Sequence, residues 1–165
     1  MPVRPASGTD APEIASLHAQ CFAEAWTGEA FERLLQSENV FALLAREASS
    51  NRATGFIVVR VAADEAEILS LGVAPRCRRR GLARELVLAG AATAFGRGAR
   101  ELFLEVGVDN AAACGLYRQL GFEERGRRRG YYARREAPSQ DALILCRALP
   151  IAAWESGANS TSLPA

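Results

Sequence analysis

The run Arg78-Arg79-Arg80-Gly81-Leu82-Ala83 has the residue types and order of a phosphate cradle. It follows an apolar segment that stops at Pro75 and opens a periodic apolar stretch read as a helix from about Leu82 to Phe95. At a helix start several backbone N–H groups lack intrahelical partners, and the macrodipole adds partial positive charge, so a pyrophosphate suits both. Gly81 lets an anion approach the backbone without a Cβ in the way, Ala83 keeps the next turn small, and the arginines supply charge-assisted hydrogen bonds. The loop has neither the Lys-Ser/Thr ending of a nucleoside-triphosphate loop nor the three-glycine spacing of a dinucleotide fold. Taken alone, Arg76 to Arg80 reads equally well as a solvated basic turn.

Other residues carry chemistry less distinctly. Glu105 is an acid at the end of the apolar run Leu102 to Val106, where a rim carboxylate paired with an arginine is the plain reading. Tyr117 lies in a small-residue helix, where an aromatic is ordinarily core. Asn110 caps that helix. Tyr131 and Tyr132 lie in a late strand and serve either a binding groove or sheet packing. His18 is expected to pack in the first helix. Cys77 and Cys114 have no partner base, which disfavours an acyl-cysteine intermediate. Cys21, Cys77, Cys114 and Cys146 show no metal-ligand spacing, so no metal and no disulfide framework are expected.

These residues need a scaffold, and 165 residues suit one domain with one core. Val3 to Ala6 is a short extended start. Asp10 with Glu13 reads as a capping box before a helix carrying Ile14, Leu17, Cys21 and Phe22 on one face. Thr27 caps a second helix, with Trp26 and Phe31 spaced as a hydrophobic staple. Strands follow at Val40 to Arg46, Thr54 to Val61 and Ala66 to Val73, then the long helix, a buried strand at Leu102 to Val106, and a helix ending at Gly121. Phe122 is placed for the apolar contact of a Schellman ending. Two strands at about 122–134 and 140–148 complete the order β-α-α-β-β-β-α-β-α-β-β, an α/β fold around one mixed, mostly antiparallel sheet of seven strands with four helices. Residues 1–149 form the domain, and 150–165 read as a flexible tail in which Trp154 has the character of a docking residue. The net charge of +1 favours neither nucleic acid nor membrane, although arginines cluster at 76–84 and 125–135. The start lacks the apolar stretch of a signal peptide and no run reaches membrane-spanning length, so the cytoplasm is expected.

Val73-Ala74-Pro75 followed by Arg78 to Ala83 resembles the acyl-CoA loop of the GNAT acetyltransferases, whose pattern is Gln/Arg-x-x-Gly-x-Gly/Ala. Leu104-Glu105-Val106, Asp109-Asn110-Ala111-Ala112-Ala113, Leu116-Tyr117, Leu120-Gly121-Phe122 and Gly130-Tyr131-Tyr132 resemble the RimI-type protein N-terminal acetyltransferases, over roughly residues 3–149. The resemblance implies acetyl-CoA as donor, held by Arg78, Arg79, Arg80, Gly81, Leu82 and Ala83 at its pyrophosphate. Backbone atoms of Leu71 and Val73, with Asn110, would meet its pantetheine arm. It implies that the strand bearing Leu71 and Val73 splays from that bearing Glu105, with the N–H near Val73 as oxyanion donor. It further implies Glu105 as general base, Tyr117 as the acid for the departing thiolate, and Tyr131 and Tyr132 in a peptide groove.

The expected acceptor is a protein N-terminus, typically the alanine of a small-subunit ribosomal protein, acetylated by direct transfer. A small-molecule amine is the alternative acceptor, and a non-catalytic RNA- or ribosome-binding module using the arginine clusters is the alternative of another class. Gly107 stands where many RimI-type members have Arg, and Gly130 where Asn often precedes the tyrosines. Both departures bear on the acceptor side.

Overall fold

A computed structural model describes residues 1–132 and 140–152, without the side chains of residues 131, 132 and 140. The order is β1 (Val3–Pro5), α1 (Ala11–Cys21), α2 (Gly28–Gln36), β2 (Val40–Arg46), β3 (Ala53–Ala62), β4 (Glu65–Val73), α3 (Leu82–Gly96), β5 (Glu101–Gly107), α4 (Ala111–Gln119), β6 (Glu123–Tyr132) and β7 (Gln140–Ala148). Seven strands form one sheet in the order β1-β2-β3-β4-β5-β7-β6. Every neighbouring pair is antiparallel except β4 and β5, which the α3 crossover makes parallel. The expected element order and sheet class are therefore observed. The expected tail, Trp154 included, lies outside the described residues, apart from Pro150 to Ala152.

Both faces of β3 are covered, so its first seven residues are buried without alternation. A Cβ at Gly90 of α3 would lie 3.0 Å from Ile57 Cδ1 and 3.6 Å from Val59 Cγ2, which puts Ile57 and Val59 on the α3 face. Phe56 points the other way, towards His18 of α1 and Phe31 of α2, at ring-centroid distances of 6.0 and 6.1 Å. Helices α1 and α2 thus cover one face and α3 the other.

Local signals behave as read, with one exception. Thr27 Oγ1 accepts from Ala30 N–H, and the Trp26 and Phe31 rings meet at 5.4 Å, so cap and staple both form. The Asp10–Glu13 capping box does not form. Asp10 instead accepts from Ser7 N–H at 2.8 Å and from both terminal nitrogens of Arg4, at 3.1 and 2.6 Å, while Glu13 accepts from Arg46 and from Ala53 N–H. Asp10 already closes a capping box with Ser7 one turn earlier, ahead of the short turn Gly8–Asp10, and arginines of β1 and β2 add charge-assisted bonds to Asp10 and Glu13.

Candidate active site

Pairing between β4 and β5 runs from Glu65–Glu101 to Ile68–Leu104 and then stops, although β4 continues to Val73 and β5 to Gly107. The cause lies on the other edge of β4. Val58 opposes Ser70 and Val59 opposes Ile68, so Leu69 is an extra residue, a bulge that bends β4 where contact with β5 ends. The expected splay of these two strands is present.

The register identifies the backbone groups that face the gap. Ala74 N–H donates to the Thr54 carbonyl at 2.8 Å. Hydrogen-bonded pairs alternate in an antiparallel ladder, so Phe56–Gly72 is the next bonded pair, and Leu71 and Val73 turn their N–H and C=O away from β3. The Val73 carbonyl is engaged by Arg78 Nε, which donates at 3.1 Å, and by the Cys21 thiol at 3.4 Å. The Val73 N–H and both polar groups of Leu71 are left facing the gap.

One turn beyond Val73 the chain forms the basic loop. Arg79 has φ +64° and Gly81 φ +80°, two left-handed residues that bring the backbone round into α3. Only Gly81 adopts this conformation without steric penalty. Among the described residues nothing accepts from the N–H groups of Arg79 through Arg84, and no carboxylate pairs with Arg76, Arg78, Arg79, Arg80 or Arg84. The second arginine cluster differs: Arg125 pairs with Glu101 at 3.2 Å, Arg127 with Glu124 and Asp141 at 3.8 and 3.6 Å, and Arg128 with Glu105 at 3.0 Å. Unpaired donors at a helix start and unopposed guanidiniums are the donor set for a pyrophosphate. Clustered arginines already opposed by acids are not.

Glu105 lies on β5 just past its last pair with β4, and Tyr117 lies on α4, the helix that follows β5. Val59 faces α3 and is in register with Ile68, which pairs with Leu104, so Leu102, Leu104 and Val106 face α3 while Glu105 faces the α1–α2 side. The Glu105 side chain is 21% exposed. Tyr117 is almost fully buried on α4, and its ring meets Phe122 edge-on at 5.3 Å. Phe122 N–H donates to the Tyr117 carbonyl at 2.9 Å and Gly121 N–H to the Arg118 carbonyl at 3.0 Å, so the Schellman ending itself holds the tyrosine. Burial, with a smaller contribution from Cys114, pushes the Tyr117 phenol well above its ordinary range. The Cys114 sulfur lies 3.7 Å from the Gly107 carbonyl, which ties the start of α4 to the end of β5. Asn110 caps α4 through Oδ1, which accepts from Ala113 N–H at 3.2 Å, and its amide nitrogen is left to donate.

On the α1–α2 side, Trp26 N–H donates to His18 Nδ1 at 3.2 Å, and the His18 ring stacks on Phe22 and Trp26 at 4.3 and 5.1 Å. Burial lowers the His18 pKa. His18 therefore holds the connection that carries the exposed Phe22 and Trp26. The sequence assigned it only packing, and no local spacing signals the bond to Trp26. Tyr131 and Tyr132 close β6, but their side chains lie outside the described residues.

Residues 11–122 match the Acetyltransferase (GNAT) family model. The chain belongs to the GNAT acetyltransferase family. Acetyl-CoA is the acetyl donor of these enzymes, and the donor set at Arg79 to Arg84 fits its pyrophosphate. The chain is 34% identical over 145 residues to a [ribosomal protein bS18]-alanine N-acetyltransferase of Salmonella typhimurium, covering 88% of this chain and 94% of that one. It is 36% identical over 129 residues to the N-alpha-acetyltransferase RimI of Mycobacterium tuberculosis, covering 74% and 78%. The crystal structure of the ribosomal-protein-S18-alanine N-acetyltransferase from Escherichia coli matches with TM-score 0.82 at 29% identity, covering 92% of this chain and 95% of that chain. Among the described residues no helix is long and apolar enough to cross a membrane.

Proposed function

We propose that this GNAT enzyme acetylates the α-amino group of a protein N-terminus in the cytoplasm, with the alanine terminus of a ribosomal protein as the first acceptor to test. The observation that carries the reading is the gap between β4 and β5, where the N–H of Val73 faces outward, with the basic loop leading into α3 and the Glu105 carboxylate on the α1–α2 side. Donor and acceptor would then enter from opposite faces of the sheet and meet only in the gap. The similarity to enzymes named for N-terminal alanine selects the acceptor class.

Acetyl-CoA supplies an activated acyl carbon and a thiolate leaving group. The N–H groups of residues 79–84 and the arginines around them would hold the pyrophosphate; Leu71, Val73 and Asn110 would bond the pantetheine. Val73 N–H would donate to the carbonyl oxygen as charge develops there. Glu105 would take the proton from the acceptor amine, directly or through a water. An α-amino group titrates at about 7.7–8.0, so removing its proton near neutral pH needs only a modest push. Tyr117 is neutral at every working pH. Its raised pKa makes full proton transfer uphill, so it would assist the departing sulfur chiefly as a hydrogen-bond donor. Tyr131 and Tyr132 are assigned to the peptide groove.

Incubation with acetyl-CoA and a short peptide beginning with alanine, read by intact mass, should add one acetyl group at the α-amine. Polyamines and aminoglycosides serve as comparison acceptors. Turnover of those amines with none of any peptide N-terminus would reject the acceptor class and leave the donor site standing.

A further inference from the structure

The pair between Glu105 and Arg128 crosses the sheet. Glu105 on β5 opposes Ile144 on β7, which opposes Gly126 on β6. The next rung on the same face is Gly107, Ala142 and Arg128. Gly107 has no side chain and Ala142 only a methyl, so the Arg128 chain lies across β7 and brings Nε to 3.0 Å from Glu105 Oε1. The neighbouring ionisable groups of these strands have other partners. Glu101, four residues back along β5, is held by Arg125, and Asp141 of β7 by Arg127 and by Gly130 N–H at 2.9 Å. Near the ends of the two strands, the Cys114 thiol of α4 meets the Gly107 carbonyl and the Cys21 thiol of α1 the Val73 carbonyl.

We propose that Arg128 is a positioning residue that keeps Glu105 from trapping the acceptor as an ammonium ion. The inference rests on the reading of Glu105 as the base. At neutral pH an incoming α-amine is largely protonated, because it titrates at about 7.7–8.0. A bare carboxylate beside the gap would bind that cation and favour the form that cannot attack. A permanent guanidinium on Oε1 removes this preference: it opposes a second cation by like charge, orients the carboxylate, and leaves Oε2 to accept a proton from an amine that enters neutral. The guanidinium is half-exposed, so the effect is moderate and salt-sensitive.

The test compares Arg128→Gln, Arg128→Lys and Glu105→Gln with the parent, using the alanine peptide and saturating acetyl-CoA between pH 6 and 9.5. For Arg128→Gln, acceptor KM and kcat should both fall below pH 8, each by about twofold to fivefold. The acidic limb of kcat should move up by about half a pH unit while kcat/KM changes little, and the kcat deficit should close above about pH 9, where the amine is neutral without help. Arg128→Lys keeps the charge and should restore the parent profile. Arg128→Met, which keeps the aliphatic stem, replaces the Gln variant should the amide disturb β6. A pH profile parallel to the parent, or a raised KM, would overturn the proposal. If Glu105→Gln turns over at the parent rate, the base assignment fails first and this inference falls with it. If Glu105→Gln is slow and Arg128→Gln has the parent profile, only the inference fails.

Discussion

Replacing Val73 by proline removes one N–H and tests whether that group stabilises the transition state. In most strand positions proline breaks the ladder. Here the Val73 N–H points away from β3, because Ala74 N–H makes the bond to Thr54 at 2.8 Å, so the β3–β4 ladder loses nothing. The residue before it is Gly72, in extended backbone that proline tolerates. The structural penalty is a smaller side chain at a buried position and a tightened φ, together about 1–3 kcal/mol. The catalytic penalty should be larger. Losing one preorganised donor to a developing oxyanion lowers kcat by about 10²–10³, or about 2.7–4 kcal/mol. Val73→Ala separates the two effects, since it trims the side chain and keeps the N–H, and its kcat should stay within a few-fold of the parent. The assay is thiol release under saturating acetyl-CoA and peptide. Thermal stabilisation by acetyl-CoA, about 2.7 kcal/mol at a hundredfold excess over Kd, verifies that the variant still binds donor. A folded, acetyl-CoA-binding Val73→Pro enzyme with kcat within threefold of the parent would refute the assignment, and with it the use made of the strand register.

Tyr117→Phe keeps the edge-on contact with Phe122, so melting should change little while kcat falls about 10²-fold or more. Since burial raises the phenol, the parent should show no loss of rate from tyrosine ionisation below pH 10 in a pH–rate profile. Gly81→Ala places a Cβ on a residue at φ +80°, a strain of about 1–2 kcal/mol. It should weaken acetyl-CoA binding in calorimetry by up to tenfold with kcat at saturation little changed. Asp10→Asn removes a carboxylate that Arg4 holds far below the usual range against the opposing effect of burial. A group depressed on folding stabilises above its unfolded pKa, about 3.9, and loses that contribution as pH falls below it. Denaturant melts should therefore show Asp10→Asn less stable by about 1–2 kcal/mol at pH 7, with the difference shrinking as pH falls below about 4.

What the sequence discloses and what it hides divide by range. The basic loop, the Thr27 cap, the Trp26–Phe31 staple and the Schellman contact of Phe122 are encoded within a few residues, and each forms. The Asp10–Glu13 box is equally local in appearance and fails, because Asp10 closes a box with Ser7 one turn earlier and Arg46 reaches Asp10 and Glu13 from a strand that only the sheet brings near. The Glu105–Arg128 pair depends on β7 lying between β5 and β6, an order that no spacing between residues 105 and 128 reveals. The bond from Trp26 N–H to His18 closes a loop whose geometry is set by the stacked aromatics around it. The leaning of Arg78 on the Val73 carbonyl is hidden for a similar reason, since the short turn at Pro75–Cys77 has to fold the loop back onto β4 first.

The bulge at Leu69 connects the strand to the chemistry. The two-residue connection Ala63-Asp64 closes the hairpin at Ala62–Glu65, and alternation makes Glu67 the next β4 residue bonded to β3, leaving Ala66 and Ile68 to bond β5. Continued without interruption, that parity would turn residues 69, 71 and 73 towards β3 and leave 70 and 72 outward. The extra residue reverses it. Beyond Leu69 it is Ser70, Gly72 and Ala74 that bond β3, and Leu71 and Val73 that face the gap. One inserted residue therefore both ends the contact with β5 and selects which N–H groups stand where it was lost. The same shift puts Gly72 on the α1 face, where a Cβ would lie 2.5 Å from Phe56 Cε1 and 3.1 Å from the Cys21 sulfur. Removing Leu69 should return Val73 N–H to the ladder and place a valine side chain where only hydrogen fits. Such a deletion should abolish turnover even where circular dichroism still reports a folded sheet, whereas a Leu69→Ala variant that keeps the count should stay active. Loss of activity in Leu69→Ala equal to that in the deletion would mean that the side chain, and not the register, makes the site.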